Sequence, residues 1–160
     1  MRLGRRRPEL PVAPGERLLA WATTADGTVV GGTRDALYLP ERLPWEQVEA
    51  AVWDRESGTL RVREVGAWGE PRREHALVMD EPPRLLQLVR ERVTASVVLQ
   101  RHVPIHGRLG VRVIARRAPG GHDEPTWVYE FDEGVDPADP DVRRAAAEAM
   151  AAAREELGAG

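Results

Sequence analysis

The apolar pattern of this chain changes period three times. Up to about residue 79, apolar residues alternate in short runs; from Leu85 to Val97 they recur at helical spacing. Alternation returns in 109–116 and 126–131, and helical spacing returns from Val142 onward. A period of two marks a half-buried strand, and a period of 3.6 marks a helix packed by one face. The chain is therefore neither all-α nor all-β. Runs of short strands, each run followed by one helix, predict an α+β architecture with an antiparallel sheet.

Turn chemistry divides the first run. Asp26-Gly27 and Ser57-Gly58 sit between alternating segments, where glycine accepts the positive φ of a tight hairpin. Strands are expected at 17–24, 28–33, 36–39, 47–54, 59–65 and 73–79. In 59–65, Leu60 and Val62 face one way, and Arg61 and Arg63 the other. Asp80 is expected to cap a helix over about 82–98, with Pro82 and Pro83 in its first turn, where no N–H is missed. Leu85, Leu86, Leu88, Val89 and Val93 form its apolar face. A second hairpin (109–116 and 126–131) surrounds the loop at 119–125. Asp139 and Pro140 then open a last helix, about 140–157, with a stripe of Val142, Ala146, Met150, Ala153 and Leu157.

The chain has 160 residues, 42% of them hydrophobic, enough for a core without covalent staples. Cysteine is absent, which excludes disulfides, thiolate metal sites and cysteine nucleophiles. All 23 basic residues are arginine, and asparagine is absent too, a bias that matches a high-GC bacterial genome. The net charge of −3 gives no global attraction to nucleic acid. The basic start (Arg2, Arg5, Arg6, Arg7) runs into prolines rather than an apolar stretch, and no apolar run approaches a membrane span. The expected layout is a flexible arm at 1–14, a strand-rich unit closed by a helix at 15–100, and a hairpin with the last helix at 101–160. The expected location is the cytoplasm.

The stretch Ala36-Leu37-Tyr38-Leu39-Pro40, then Leu43-Pro44-Trp45-Glu46-Gln47-Val48-Glu49, followed by Leu60-Arg61-Val62, resembles bacterial members of the pleckstrin-homology-like superfamily. The resemblance covers about residues 16–98. It implies a partly closed antiparallel sheet capped by an amphipathic helix, with residues 108–157 as a β-β-α extension. It also implies binding of lipid headgroups, peptides or protein partners rather than catalysis. The first hairpin loop, basic in the phosphoinositide-binding members, is here Thr24-Ala25-Asp26-Gly27, which is short and acidic.

Catalytic constellations are thin. Ser57 lies in a turn and Ser96 in a helix, neither in a glycine-flanked elbow. His75, His102, His106 and His122 include one four-residue spacing, but Pro104 interrupts it, so His102 and His106 read as lying on a polar connector. Glu130, Asp132, Glu133, Asp136, Asp139 and Asp141 read as acidic complements of the last helix N-terminus. Arg61 and Arg63 with Arg72 and Arg73, and Arg112 with Arg116 and Arg117, read as solvated sheet faces. No catalytic residue, cofactor or metal ligand is assigned. The expected function is a non-catalytic binding or protein-interaction module with an unidentified protein partner and no strong nucleic-acid binding; peripheral membrane contact stays open. Its candidate contacts are Trp68, Arg61 and Arg63, Trp68 because it sits in a glycine-flanked loop. The alternative is an enzyme or nucleic-acid-associated protein with a site not visible in sequence, a reading that Asp132, Glu133 or Asp136 within metal-ligand reach of a histidine would favour.

Overall fold

The computed structural model describes residues 8–66 and 71–158. It is a mixed structure of antiparallel sheets and two long helices. Strands β1 (Ala20–Thr23), β2 (Val29–Gly32), β3 (Ala36–Tyr38) and β4 (Arg42–Pro44) form one four-stranded meander. A short 3-10 turn at Trp45–Gln47 leads into β5 (Val48–Asp54), which pairs with β6 (Thr59–Glu64), and β6 with β7 (Glu74–Val78). Helix α1 (Pro83–Ser96) runs directly into β8 (Val97–His106). β8 pairs with β9 (Leu109–Arg116) and β9 with β10 (Thr126–Phe131), and α2 (Pro140–Glu156) ends the chain's regular structure.

Several expectations are corrected. Among the described residues the strands form three separate hydrogen-bonded sheets rather than one partly closed sheet, and no closed barrel results. Residues 42–44, read only as punctuation between prolines, form the edge strand β4. The C-terminal part contains three strands rather than two, because 97–106 is strand β8 and not a polar connector. β8 lies at the edge of its sheet, where Pro104 is tolerated because its missing N–H has no ladder partner to disappoint. Register shifts at Val97/Leu99 and Pro104/His106 break its alternation. Asp80 does not cap α1; Pro82 occupies that position, with no side-chain cap bond. Asp139 does cap α2, its carboxylate accepting from the Asp141 N–H at 2.8 Å.

Two apolar cores result, and they share no residue. The first gathers Val30 of β2, Leu37 of β3, Trp45 of the 3-10 turn, Val48 of β5 and Leu60 and Val62 of β6, closed by Leu85 and Val89 of α1. The second sets Val111 and Val113 of β9 against Ala146, Ala149 and Ala153 of α2, with Trp127, Tyr129 and Phe131 around them. The alanine stripe lets α2 sit close to the sheet, and Arg154 lies over the Trp127 ring at 5.4 Å. Gly31-Gly32 are close-approach glycines in β2: a Cβ on Gly32 would stand 2.8 Å from Leu88 Cδ2 and 3.1 Å from Trp45.

The segment before β1 is tied down by one carboxylate. Glu16 accepts from Thr33 Oγ1 at 2.6 Å, from Tyr38 OH at 3.0 Å and from Arg42 Nε at 2.8 Å. Burial by itself raises its pKa, but the bonds from Thr33, Arg42 and Tyr38 outweigh it and hold the carboxyl below its ordinary 4.5. A lowered folded pKa contributes stability that is present above the unfolded value and lost as pH falls through the folded value. Glu16→Gln is therefore expected to lower stability near neutral pH by about 1.5–3 kcal/mol, as loss of hydrogen bonds to a charged group does. The gap between the two proteins should close as urea titrations move below pH 4.5. A gap unchanged across that window would show that the Glu16 charge is not what stabilises this corner.

Candidate functional site

The two cores meet across a buried charge cluster. β5 carries Glu49 at the bulged start of its pairing with β6, and the Glu49 side chain is 1% exposed. Arg63 of β6 approaches it at 2.9 Å, and Arg72, in the connection between β6 and β7, contacts its other oxygen. Arg72 also donates to the Tyr129 carbonyl of β10 at 2.6 Å. Arg116 of β9, read as part of a solvated strip, is instead 4% exposed; it donates to the Glu49 carbonyl at 3.0 Å and reaches Ser96 Oγ at 3.4 Å. Burial, joined by the nearby Glu130 charge, outweighs the pull of Arg72, Arg63 and Arg116 and holds the Glu49 carboxyl above its ordinary 4.5, and burial pushes the Arg116 guanidinium down. Glu49 pairs with Arg63 and Arg72 within the first half, and the bonds from Arg72 to the Tyr129 carbonyl and from Arg116 to the Glu49 carbonyl cross the seam, so the cluster is a tie between the two halves rather than an open site.

Two of the four histidines are likewise engaged. His75 meets Glu64 at 2.6 Å across β7 and β6. His102 meets Asp132 Oδ2 at 2.7 Å, and the same oxygen accepts from the Gly110 N–H at 2.8 Å. The His102 bond, then the Gly110 bond, holds the Asp132 carboxyl below its ordinary value. Asp132 thus does converge on a histidine, but as a cross-strand tie. Among the described residues no three metal-ligating side chains assemble. The described helices include none long and apolar enough to cross a membrane.

Among the described residues, one open feature is a groove of about 830 Å³ where the halves adjoin. Three segments build it. The residues before β1 supply Arg17 and Leu19, the β2–β3 turn supplies Arg34 and Asp35, and the later turns of α1 supply Leu88, Glu91 and Arg92. The loop 118–121 after β9 closes it from the other half, with Gly120 at φ +74° beside Arg34. Arg17, Arg34 and Arg92 make no ion pair with any described residue, unlike Arg63 and Arg72. Asp35 and Glu91 are the opposing charges; Glu16, at the groove's inner wall, is already matched by Arg42.

The residues singled out from sequence lie elsewhere. Arg61 is exposed on the outer face of β6, 3.8 Å from Glu74, and its row includes the exposed Val52 and Ala76. Arg63 shares that face but reaches Glu49. Trp68 lies outside the described residues. The structure does not bring Arg61 or Arg63 into the groove. Sequence reasoning missed Arg17, Arg34 and Arg92 because they are scattered singly through three segments, with no shared spacing to link them. Comparison with known protein families, with curated proteins and with solved structures finds no match to this chain.

Proposed function

We propose that this chain is a non-catalytic binding module of the cytoplasm, built on a pleckstrin-homology-like frame, that holds a protein partner in the groove. One observation carries the reading: three arginines from three separate segments share one open groove and have no acidic partner among the described residues. Guanidinium groups left unmatched at a concave surface between two packed halves are suited to receive a ligand's acceptors. The frame is supported by the order of a four-stranded meander, a three-stranded meander and then α1. The His102–Asp132 pair is the observation on the side of an enzymatic reading; the second bond of Asp132, from the Gly110 N–H, supports a structural role for the pair.

Affinity capture from the native cell tests this with three baits: the wild-type chain, the Arg17→Glu/Arg92→Glu variant and Arg61→Glu. The expected result is a partner retained by wild type and by Arg61→Glu, and lost by the groove variant at unchanged melting temperature. A partner lost only by Arg61→Glu would move the contact to the outer face of the β5-β6-β7 sheet.

A further inference from the structure

We propose that the groove continues along the outer edge of β1 and there receives an extended, acidic peptide segment of the partner as an added strand; this rests on the binding reading above. β1 is an end strand of its sheet. The Thr24 N–H bonds the Thr28 carbonyl, and in an antiparallel ladder bonded pairs alternate. Ala22 therefore turns its backbone toward β2, while Trp21 and Thr23 present N–H and C=O groups to the outer side.

The neighbouring sheet does not fill that edge. β7 meets it at one point, where the Val78 carbonyl accepts from the Ala25 N–H at 2.7 Å. Beyond Val78 the chain leaves for α1, and a hollow of about 440 Å³ opens between Leu19, Ala20 and Trp21 on one side and Pro82, Pro83 and Leu85 on the other. Leu19 borders both this hollow and the arginine groove, so the two adjoin at that side chain, on the proposed path. Pro82 and Pro83 bring no N–H to compete for an incoming carbonyl. Leu19, 47% exposed, offers an apolar seat beside the free ladder groups.

Charge selects the segment. Arg17, Arg34 and Arg92 line one end of the path and Arg84 the other, against Asp35 and Glu91. The path is thus cationic on a chain of net charge −3. An acidic strand with apolar residues at alternate positions satisfies the edge, the hollow and the arginines together.

The test uses the full chain and fluorescence anisotropy with three labelled peptides: alternating glutamate and valine, alternating lysine and valine, and the glutamate–valine peptide N-methylated at alternate amides. The account expects the first to bind and the second not to bind. N-methylation should weaken binding about tenfold or more, the equivalent of about 1.4 kcal/mol of lost ladder bonding. Arg17→Glu/Arg92→Glu and, separately, Arg84→Glu should each weaken it, as should added salt. Equal binding of the two charge types, no binding of any peptide, or indifference to N-methylation would overturn the proposal. So would co-sedimentation with anionic phospholipid vesicles through the same arginines, which would assign the path to a membrane surface. If a partner is captured through the groove while no acidic peptide binds, strand addition falls and the binding reading stands. If no partner depends on the groove, the binding reading itself falls.

Discussion

Trp45→Ala is expected to lower stability by about 3–5 kcal/mol, as aromatic truncation in a packed core does. The indole is fully buried and occupies the centre of the first core, between the β2 backbone at Gly32 and the apolar face of α1. Its Nε1–H donates to the Thr33 carbonyl at 2.9 Å. Alanine would leave both a cavity and a buried carbonyl without that donor. Trp45→Phe separates the two costs, since it keeps most of the ring and loses the bond, and about 1–3 kcal/mol is expected from the unmet carbonyl. Chain stabilities are typically 5–15 kcal/mol, so the alanine variant would lose a large share. Guanidinium denaturation at matched slope checks both. A Trp45→Ala loss below that of Trp45→Phe would contradict the placement of the ring.

Glu49→Ala is expected to be comparably damaging, at about 3–5 kcal/mol, because it strips the counter-charge from a buried cluster. Arg116 is 4% exposed and cannot shed its proton, so it would be left with only the opposite charge of Glu130 to balance it at the seam. Arg72 would lose its anchor on β5 while still bonded to the Tyr129 carbonyl. Adding Arg72→Met and Arg116→Met to Glu49→Ala should restore much of the loss, since apolar replacement of a whole buried ion cluster is often neutral or better. The cluster joins two separate cores, so Glu49→Ala should also split the unfolding transition into two. A single transition with a loss under about 1 kcal/mol would show that the seam is held by something other than these charges.

The elements were legible where local chemistry dictates them. The turns at Gly27 and Gly58 adopt φ of +88° and +61°, which is why glycine after Asp26 and Ser57 announced them. Asp139-Pro140 announced α2 because a cap and a first-turn proline both act within a few residues. β8 was illegible because two register shifts and Pro104 destroy the period that reveals a strand. The seam was illegible for a different reason. Arg116 and Glu49 stand 67 positions apart, and an alternating run shows which residues share a face but not what covers that face. Arg116 therefore read as solvated when a second sheet buries it. The groove arginines share this difficulty, since only the fold brings Arg17, Arg34 and Arg92 together.

The most direct test of the groove as the contact surface is amide hydrogen exchange on the chain alone and with the captured partner bound. The account predicts new protection in 17–23, in 84–92 and in 118–121, with little change on β6. Protection centred on Arg61 and Ala76 of the β5-β6-β7 face, with the groove segments unchanged, would contradict it.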